Sequence, residues 1–237
     1  MVKVMVFNAS SGSLKWSLLD ADTEALFAEA DLPYSAVSGD DLGAAVKSML
    51  GAAGDVAAVG YRVVHGGGAF YEPVRVDSAM IDKLAAFDEL APLHNPVTVT
   101  CMRAALQALP GALHVAAFDS AFHRTIPDRA ATYAIPREWT ERWGICRFGF
   151  HGLSVEHAVR RTAALLSATP RRHIVCHLGV GCSVTAVLDG RSIDTSMGFT
   201  PLDGVIMATR SGTINIRSSR LQVCRPGCTT SERAELV

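Results

Sequence analysis

The sequence predicts an α/β protein built around a mixed β-sheet, and three observations support this class. Short apolar runs of strand length alternate with longer stretches in which apolar residues recur at helical spacing. A similar order of strand, glycine turn and strand returns near 173–193, which indicates an internal duplication. The chain also opens with several strands around one helix, and these strands are predicted at 2–7, 14–19, 25–32 and 56–64.

Four helices are predicted along the chain, between these strands and the later ones. The first is predicted from Asp40 or Asp41 to about residue 50. The second covers 78–90 and has four apolar residues on one face: Met80, Ile81, Leu84 and Phe87. Asn95 is expected to cap the third helix, which has a proline at its first position and runs to about 109. Ser154 is expected to cap the fourth, which runs to about 166.

The later strands carry polar residues at their ends. A strand predicted over 113–118 ends at Asp119, and two strands over 173–178 and 183–188 enclose a glycine turn. In α/β proteins, ligands collect at the carboxyl ends of strands, so Asp119 is a candidate for binding a metal or orienting a ligand. The alternative is a helix-capping aspartate.

Composition excludes several classes of protein. Of the 237 residues, 49% are hydrophobic, 19% are charged, and the net charge is −1 without a basic stripe, so we expect no nucleic-acid partner. The first residues, MVKVMVFN, resemble a strand more than a signal peptide, and no apolar run approaches the ~18 residues of a membrane span. We therefore expect a cytoplasmic protein with no membrane partner. The six scattered cysteines are then free thiols.

The first polar turn, NASSGSLK over residues 8–15, is a candidate phosphate loop. It offers donors from three serines and Asn8, a flexible backbone at Gly12 and a positive charge at Lys15. It lacks the glycine, lysine and hydroxyl ending of a P-loop, so an ordinary hairpin turn remains the alternative.

Further candidates join charged or imidazole side chains to glycines. Arg62 lies within an apolar strand before three glycines, where a buried arginine needs an anionic partner; the alternative is an edge strand in water. His94 precedes a helix N-terminus, which attracts anions. His151 stands between glycines and aromatics, Gly179 and Gly181 flank one residue of a turn, and Arg210 precedes Ser-Gly. No serine lies in a nucleophile elbow, so this set of residues favours phosphoryl transfer.

Taken together, the motifs resemble those of the acetate kinase family. The resemblance covers residues 2 to about 214, and the motifs in order are NASSGSLK, YRVVHGG, LAPLHNP, AAFDSAFH, RFGFHG, CHLGVG and SMGFTPLDG with ATRSG. It implies a ribonuclease H-like (actin-like ATPase) domain at 1–120, followed by an incomplete second domain of the same type at 121–212. Residues 213–237 are expected to form a divergent, disordered tail.

The resemblance also implies a reaction and its residues. Family members transfer the ATP γ-phosphoryl group reversibly to acetate, giving acetyl phosphate and ADP, with Mg²⁺, and they form homodimers. The implied catalytic residues are Asp119, His151 and Arg210. The implied substrate-binding residues are Arg62, Val64, Leu93, His94 and Pro201. The implied ATP or phosphate contacts are Ser11, Ser13, Lys15, His177, Leu178, Gly179, Val180 and Gly181. Asn8 is the implied Mg²⁺ ligand.

The sequence departs from the family pattern at several points. Tyr61 stands where the family has histidine, and Val180 stands where it has asparagine. In the first loop, Ser10 replaces a glycine of the family and Gly12 replaces a serine. After Gly212 the family's continuation, which holds an adenosine motif and a metal-binding glutamate, is missing. We therefore expect a truncated or frame-shifted product. A propionate kinase and a remnant that only binds a ligand or partner remain alternatives.

Overall fold

The computed structural model describes residues 1–10, 12–34, 39–168 and 170–214, and it confirms the predicted α/β class. The strands are β1 Lys3–Ala9, β2 Ser13–Asp20, β3 Leu26–Pro33, β4 Ala58–Val63, β5 Val74–Arg75, β6 Leu113–Phe118, β7 Arg172–Leu178, β8 Cys182–Leu188 and β9 Arg191–Thr195. The helices are α1 Gly39–Ala53, α2 Ser78–Ala85, α3 Asn95–Ala108, α4 Asp128–Ala131, α5 Arg137–Trp143 and α6 Gly152–Leu166. Two 3₁₀ helices cover Asp88–Leu90 and Ala121–Thr125.

The first sheet is mixed, as predicted, and has the strand order β3-β2-β1-β4-β6-β5. Strands β1, β2 and β3 form an antiparallel meander, whereas β1, β4 and β6 are parallel. Helix α3 packs against β1 and β4, and α1 and α2 pack against α3. Apolar side chains on the helical side of the sheet, such as Met5, Phe7 and Val59, are almost fully buried and form the main core.

Alternation along the parallel strands separates core residues from polar ones. In β1, Met5 and Phe7 are buried, whereas Asn8 next to them is only half-buried. In β4, Arg62 is likewise half-buried and pairs in register with Asn8. Because residues in register on neighbouring strands point to the same face, Asn8 and Arg62 lie side by side on the face opposite the helices.

The second sheet is an antiparallel meander with the order β7-β8-β9. One face contacts α6, where Val155 and Val159 of the helix pack with Val187 of β8. On the other face, Ile174 and Leu178 are 69% and 77% exposed. Both sheets therefore begin with a three-stranded antiparallel unit, which is the repeat that the sequence predicts.

A small apolar cluster connects the end of β4 to the segments around 148–150 and 197–207. It contains six buried residues: Val64, Ala91, Phe148, Phe150, Met197 and Met207. The fully buried His65 ring meets Phe148 edge-on, with ring centroids 4.7 Å apart. The Gly67 N–H donates to Nδ1 of His65 at 3.0 Å, so the imidazole proton lies on Nε2 and is donated to the Phe199 carbonyl at 3.1 Å.

Three local predictions were wrong. The helix predicted over 78–90 ends at Ala85, and its last residues form a separate 3₁₀ turn. Asn95 is not the cap of α3: it is fully buried, and its Nδ2 donates to the His65 carbonyl at 2.9 Å. Ser154 is not the cap of α6, because His151 holds that position and Ser154 bonds His177 instead. In the last two cases the side chain bonds a residue distant in the chain and does not cap its own helix.

Two further expectations from the sequence concern membrane-spanning helices and the cysteines. None of the helices in the described ranges is long and apolar enough to cross a membrane. Of the six cysteines, the four that lie in the described ranges are free thiols. Cys224 and Cys228, with the rest of the divergent tail from 215 to 237, lie outside the described residues.

Candidate active site

A cleft of about 600 Å³ gathers most of the polar residues that the sequence singled out. Its side chains come from two parts of the chain. The first comprises β1, the turn after it, β2, β4, the residue before α3 and the end of β6, and the second comprises the start of α6 with the residue before it, β7 with the turn after it, and the loop at 210. Its lining includes Asn8, Ser10, Lys15, Arg62, His94, Asp119, His151, Ser154, His177, Val180, Gly181 and Arg210. Three of these are cationic and one is a carboxylate, so the cleft favours anions.

Arg62 is the centre of the polar network on the first sheet. Its Nη1 donates to Oδ1 of Asn8 at 2.9 Å, and its Nη2 donates to Oδ2 of Asp119 at 2.5 Å. Burial lowers the pKa of the guanidinium, but the Asp119 charge and hydrogen bond outweigh it, and the net shift is upward. Arg62 is therefore a fixed cation, not the solvated edge-strand arginine of the alternative interpretation.

Asp119 is held at both its backbone and its side chain. The carboxylate is 3% exposed, and the backbone N–H donates to the Val63 carbonyl at 2.9 Å, extending the β4–β6 ladder by one residue. Its carbonyl accepts from the Gly152 N–H at 2.7 Å, and a β-carbon on Gly152 would lie only 2.2 Å from that oxygen. The start of α6 is thus packed directly on Asp119. The capping-aspartate alternative is wrong, because Ser120 is the cap of the following 3₁₀ helix and the Asp119 carboxylate bonds Arg62.

His151 enters the cleft from the residue before α6. Its backbone has a left-handed conformation, with φ of 60°, which is rare for a residue with a side chain. Nδ1 of the ring lies 3.0 Å from Oγ of Ser183, and the ring stacks on His177 with centroids 4.0 Å apart. Burial, together with His177 and the two cleft arginines, lowers the pKa of His151 to about 4 despite Asp119, so the ring is neutral at pH 7.

His94 lies immediately before α3 and contributes a second neutral imidazole. Burial lowers its pKa to about 4, and the positive charges of Arg62 and Arg210 act in the same direction. The ring makes no capping hydrogen bond with α3, so its nitrogen atoms are not used by the helix. His94 can therefore offer a hydrogen bond to a ligand without adding charge.

Arg210 reaches the cleft from a loop that is tied to the β7–β8 turn. Nη1 of Arg210 donates to the Pro201 carbonyl at 2.8 Å, and the Ala208 N–H donates to the Val180 carbonyl at 3.1 Å. Gly181 lets the arginine approach, because a β-carbon there would lie 2.7 Å from Nη2. Burial lowers the pKa of Arg210, but an arginine remains charged at neutral pH.

The first polar turn lies beside this cluster. Oγ of Ser10 donates to the Ser13 carbonyl at 2.8 Å and accepts from the Ser13 N–H at 3.1 Å. Nζ of Lys15 lies 3.9 Å from Asp31, and both side chains are about half exposed. Ser10 and Lys15 line the cleft, while Ser11 lies outside the described residues.

Some predicted residues do not line the cleft. They are Val64, which is 3% exposed in the small apolar cluster, Leu93, which is 63% exposed, and Ser13, Leu178, Gly179 and Pro201. Pro201 acts through its carbonyl on Arg210, and Gly179 shapes the turn through its N–H bond to the Gly181 carbonyl. Val64, Leu93 and Pro201, the three apolar residues predicted to bind the substrate, therefore do not line this cleft.

Sequence reasoning missed two serines that contact the site histidines. Oγ of Ser154 lies 2.9 Å from Nδ1 of His177, and Ser183 contacts His151. A signal for Ser183 was present, since the predicted hairpin places it directly opposite His177. Ser154 was noticed only as a capping residue, because its partner is 23 residues away in the chain.

Oxygen ligands for a divalent cation are few in this cleft. The described part of the chain has no group of three His, Cys, Asp or Glu side chains that could hold a metal ion. The amide oxygen of Asn8 and the carboxylate of Asp119 lie on either side of Arg62. Such a sparse oxygen set fits Mg²⁺ that is bound mainly through the phosphates of a ligand.

The fold defines an α/β protein of the actin-like ATPase type, and its cleft is lined by three cationic side chains and one carboxylate. The chain belongs to the acetokinase family, whose sequence model matches residues 42–219. It is 41% identical to the acetate kinase of Thermoanaerobacter pseudethanolicus and 38% identical to that of Thermotoga maritima, over 90% of this chain. It spans only about 61% of the length of these curated relatives.

Solved structures give the same grouping. A propionate kinase from Francisella tularensis is 35% identical, with a TM-score of 0.84 over 100% of this chain and 67% of that one. The acetate kinase of Porphyromonas gingivalis is 29% identical, with a TM-score of 0.83 over the same shares. The ribonuclease H-like, actin-like ATPase fold expected from the motifs is therefore confirmed.

Proposed function

We propose that the protein acts in reversible phosphoryl transfer between ATP and acetate, giving ADP and acetyl phosphate. The observation that carries this proposal is the convergence of Arg62, Asp119, His151 and Arg210 on one cleft. The cleft contains two cationic guanidinium groups and the neutral imidazoles of His94 and His151. Ser154 contacts His177, but the carboxylate of the cleft lining, Asp119, bonds Arg62 and not that ring, so the pair is not a nucleophilic triad. Phosphoryl transfer needs such positioning and charge neutralisation rather than a covalent nucleophile.

Arg62 is the proposed site of the acceptor carboxylate. A guanidinium has five N–H donors, and Asn8 and Asp119 each take one of them in this structure. The remaining donors are sufficient for the two oxygens of a small carboxylate. Acetate is already ionised at neutral pH, so Asp119 is not needed as a base. Its proposed role is to fix the orientation of Arg62.

His151 and Arg210 are the proposed stabilisers of the transferring phosphoryl group. The neutral His151 ring donates a hydrogen bond and Arg210 supplies charge, and both lie against Gly181. Donors that are fixed before the reaction stabilise charge on the equatorial oxygens without reorganising. His94 supports the acceptor side, where it lies among the same charges.

Nucleotide phosphates are proposed to lie along the two glycine turns. These are the first turn, with Ser11, Ser13 and Lys15, and the second turn, from His177 through Leu178, Gly179 and Val180 to Gly181. Asn8 and Asp119 would hold Mg²⁺ together with the phosphates, and Mg²⁺ supplies charge neutralisation to the phosphoryl oxygens. We place the two sides of the cleft in domains at 1–120 and 121–212.

The direct test is formation of acyl phosphate by the purified chain. ATP, MgCl₂ and acetate are incubated with hydroxylamine, which converts acyl phosphate to a coloured hydroxamate. Arg62→Lys keeps the charge but loses the bidentate fork, so we expect kcat/KM for acetate to fall roughly 100-fold. Arg103→Lys, in an exposed ion pair with Asp82, is the matched control and should leave the rate unchanged.

The result also separates catalysis from binding alone. A chain that binds an ATP analogue but forms no hydroxamate would contradict the proposed reaction and would favour a binding role.

Propionate is the second candidate acceptor, because a propionate kinase structure superimposes well on this chain. Leu93 is largely exposed, so it does not limit the acid to a single methyl group. One additional methylene is worth about 1–3 kcal/mol in a closed pocket and less in an open one. Initial rates with acetate and propionate at equal concentration decide between the two acids.

A further inference from the structure

Ser183 is a fully buried residue of β8 that does not line the cleft, and its hydroxyl contacts the cleft residue His151. Its Oγ lies 3.0 Å from Nδ1 of His151, and no other side-chain partner of that hydroxyl is present among the described residues. Alternation along β8 places Ser183 on the same face as Val187, which contacts α6, and Ser183 is not among the residues that line the cleft. The serine cannot itself reach a ligand from this position.

The ring of His151 has little freedom around this contact. The left-handed backbone of His151 fixes the start of its side chain, and one ring face is stacked on His177. Nε2 lies on the edge of the ring away from Ser183, and a β-carbon on Gly181 would lie 3.1 Å from it. Nδ1 is thus the atom held by protein, and Nε2 is the atom offered to the cleft.

The protonation of these two nitrogens decides what the ring can do. A neutral imidazole has one N–H donor and one acceptor. If the serine hydroxyl donates to Nδ1, the proton lies on Nε2 and the cleft gains a donor. If Nδ1 donates to the serine, Nε2 becomes an acceptor and would repel phosphoryl oxygens.

We propose that Ser183 is a positioning residue, which donates its hydroxyl hydrogen to Nδ1 of His151 and so holds Nε2–H as the donor facing the cleft. The role in turnover rests on the proposed phosphoryl transfer, whereas the tautomer itself does not.

The same chain contains a matched serine–histidine pair whose direction is fixed. Oγ of Ser192 lies 2.9 Å from Nδ1 of His123, and both residues are buried. Nε2 of His123 lies 3.0 Å from the Phe150 carbonyl, which can only accept, so the His123 proton is on Nε2. Ser192 must therefore donate to Nδ1. The Ser183–His151 pair has the same geometry on the neighbouring strand, with the ligand replacing the carbonyl.

The tautomer is measured by nitrogen-15 NMR of the histidine rings in the full chain at pH 7. In the unaltered protein we expect the His151 signals of a ring protonated at Nε2. Ser183→Ala should move them toward the average of two exchanging tautomers, whereas Ser192→Ala should leave the His151 signals unchanged. A ring protonated at Nδ1, or signals unaffected by Ser183→Ala, would overturn the proposal. Ser183→Cys keeps the core filled and replaces the alanine variant if that variant does not fold.

Kinetics give the second readout. Ser183→Ala should lower kcat for acyl phosphate formation roughly 10- to 100-fold, because a misplaced donor weakens the transition state. KM for acetate should stay within about twofold, since Arg62 is not affected, and Ser183→Thr, which keeps the hydroxyl, should recover part of the rate. An equal loss in Ser192→Ala would mean that the effect is general destabilisation and would overturn the positioning role. If the chain shows no turnover at all, the proposed function fails, while the NMR result still decides the tautomer.

Discussion

Gly181 packs directly against Arg210, so that a β-carbon on the glycine would lie 2.7 Å from Nη2 of the arginine. The same β-carbon would lie 3.1 Å from Nε2 of His151. Both proposed stabilisers of the phosphoryl group therefore occupy space that exists only because residue 181 has no side chain. The glycine was predicted as part of a phosphate turn, but its contacts suggest that it also holds the two donors together.

Gly181→Ala should displace one or both donors. We expect kcat for acyl phosphate formation to fall at least 10-fold, with the fold retained, because displacing a donor by about 1 Å costs up to roughly 100-fold. The measurement is the hydroxamate assay together with a urea unfolding curve. Gly111→Ala is the control, because nothing lies within 4 Å of its added β-carbon. Equal activity of the two variants would contradict the role of Gly181.

The Arg62–Asp119 pair should also stabilise the fold. Arg62→Met removes the charge at similar length and leaves the buried Asp119 carboxylate unpaired. Removing one partner of a buried pair costs about 3–5 kcal/mol, and we expect the lower end because Arg62 is 24% exposed. Urea unfolding at pH 7 measures this loss.

The matched control for that experiment is an ion pair on the surface. Arg103 and Asp82 are 53% and 67% exposed, so Arg103→Met should change the free energy of unfolding by less than about 1 kcal/mol. Arg62→Met combined with Asp119→Asn should recover part of the loss, since no unpaired charge remains. A double variant as unstable as the sum of both single variants would indicate that the two residues do not interact.

Stability should decrease in acid because of buried neutral histidines. Burial lowers the pKa of His65 to about 4, although its bond to the Phe199 carbonyl acts the other way, while an unfolded histidine has a pKa of about 6.5. Above pH 6.5 both states are neutral at this site and its contribution is complete. As the pH falls from 6.5 to 4, only the unfolded state gains the proton, so stability is lost, by on the order of 3 kcal/mol.

Urea unfolding at several values of pH between 7.5 and 4 checks this dependence. His65→Gln should be less stable at pH 7, by about 1–3 kcal/mol for the disturbed hydrogen bonds, but its stability should decline less steeply in acid. His157→Gln, at an exposed position, should keep the steep decline of the unaltered protein. The same slope in the His65 variant would show that other groups cause the acid sensitivity.

Tyr61 should matter for stability and not for activity. It lies beside Arg62 in β4 but on the opposite face, where its hydroxyl lies 2.8 Å from Nδ1 of the buried His114. Tyr61→Phe leaves that nitrogen unpaired and should cost about 1–3 kcal/mol in urea unfolding, with the hydroxamate rate unchanged. Tyr71→Phe, at a residue that is 41% exposed, should cost less than about 0.5 kcal/mol. A rate loss in Tyr61→Phe would mean that the core contact affects the cleft.

Local patterns predicted most of the strands and the residues at their ends. The strand at 113–118 and its terminal Asp119 were predicted correctly because strand alternation is a short-range property of the chain. The turn at Asp189 and Gly190, where both residues have positive φ, likewise has the residue types that such a hairpin turn requires. The family resemblance added the order of the motifs, which indicated that these separate loops belong to one site.

Capping predictions failed where a distant residue was the better partner. Asn95 and Ser154 have the side chains of helix caps, but they bond the His65 backbone and the His177 ring. Their partners are 30 and 23 residues away, a distance over which a single sequence carries no signal. The helix ends are therefore the least predictable part of this fold. Here the residues at these ends bond His65 beside the small apolar cluster and His177 of the cleft.

The sequence by itself determined the α/β class, the repeat of antiparallel units, and the charged and imidazole residue types that line the cleft. These follow from periodicity and side-chain chemistry, which act over a few residues. Only the tertiary structure decided that Asn8, Arg62 and Asp119 join through one guanidinium, that Val64 is buried in a separate cluster, and that Ser183 contacts His151. Such relationships depend on strand register and on the packing of loops and helices against the sheets, because contacts between distant segments form only when the whole chain folds.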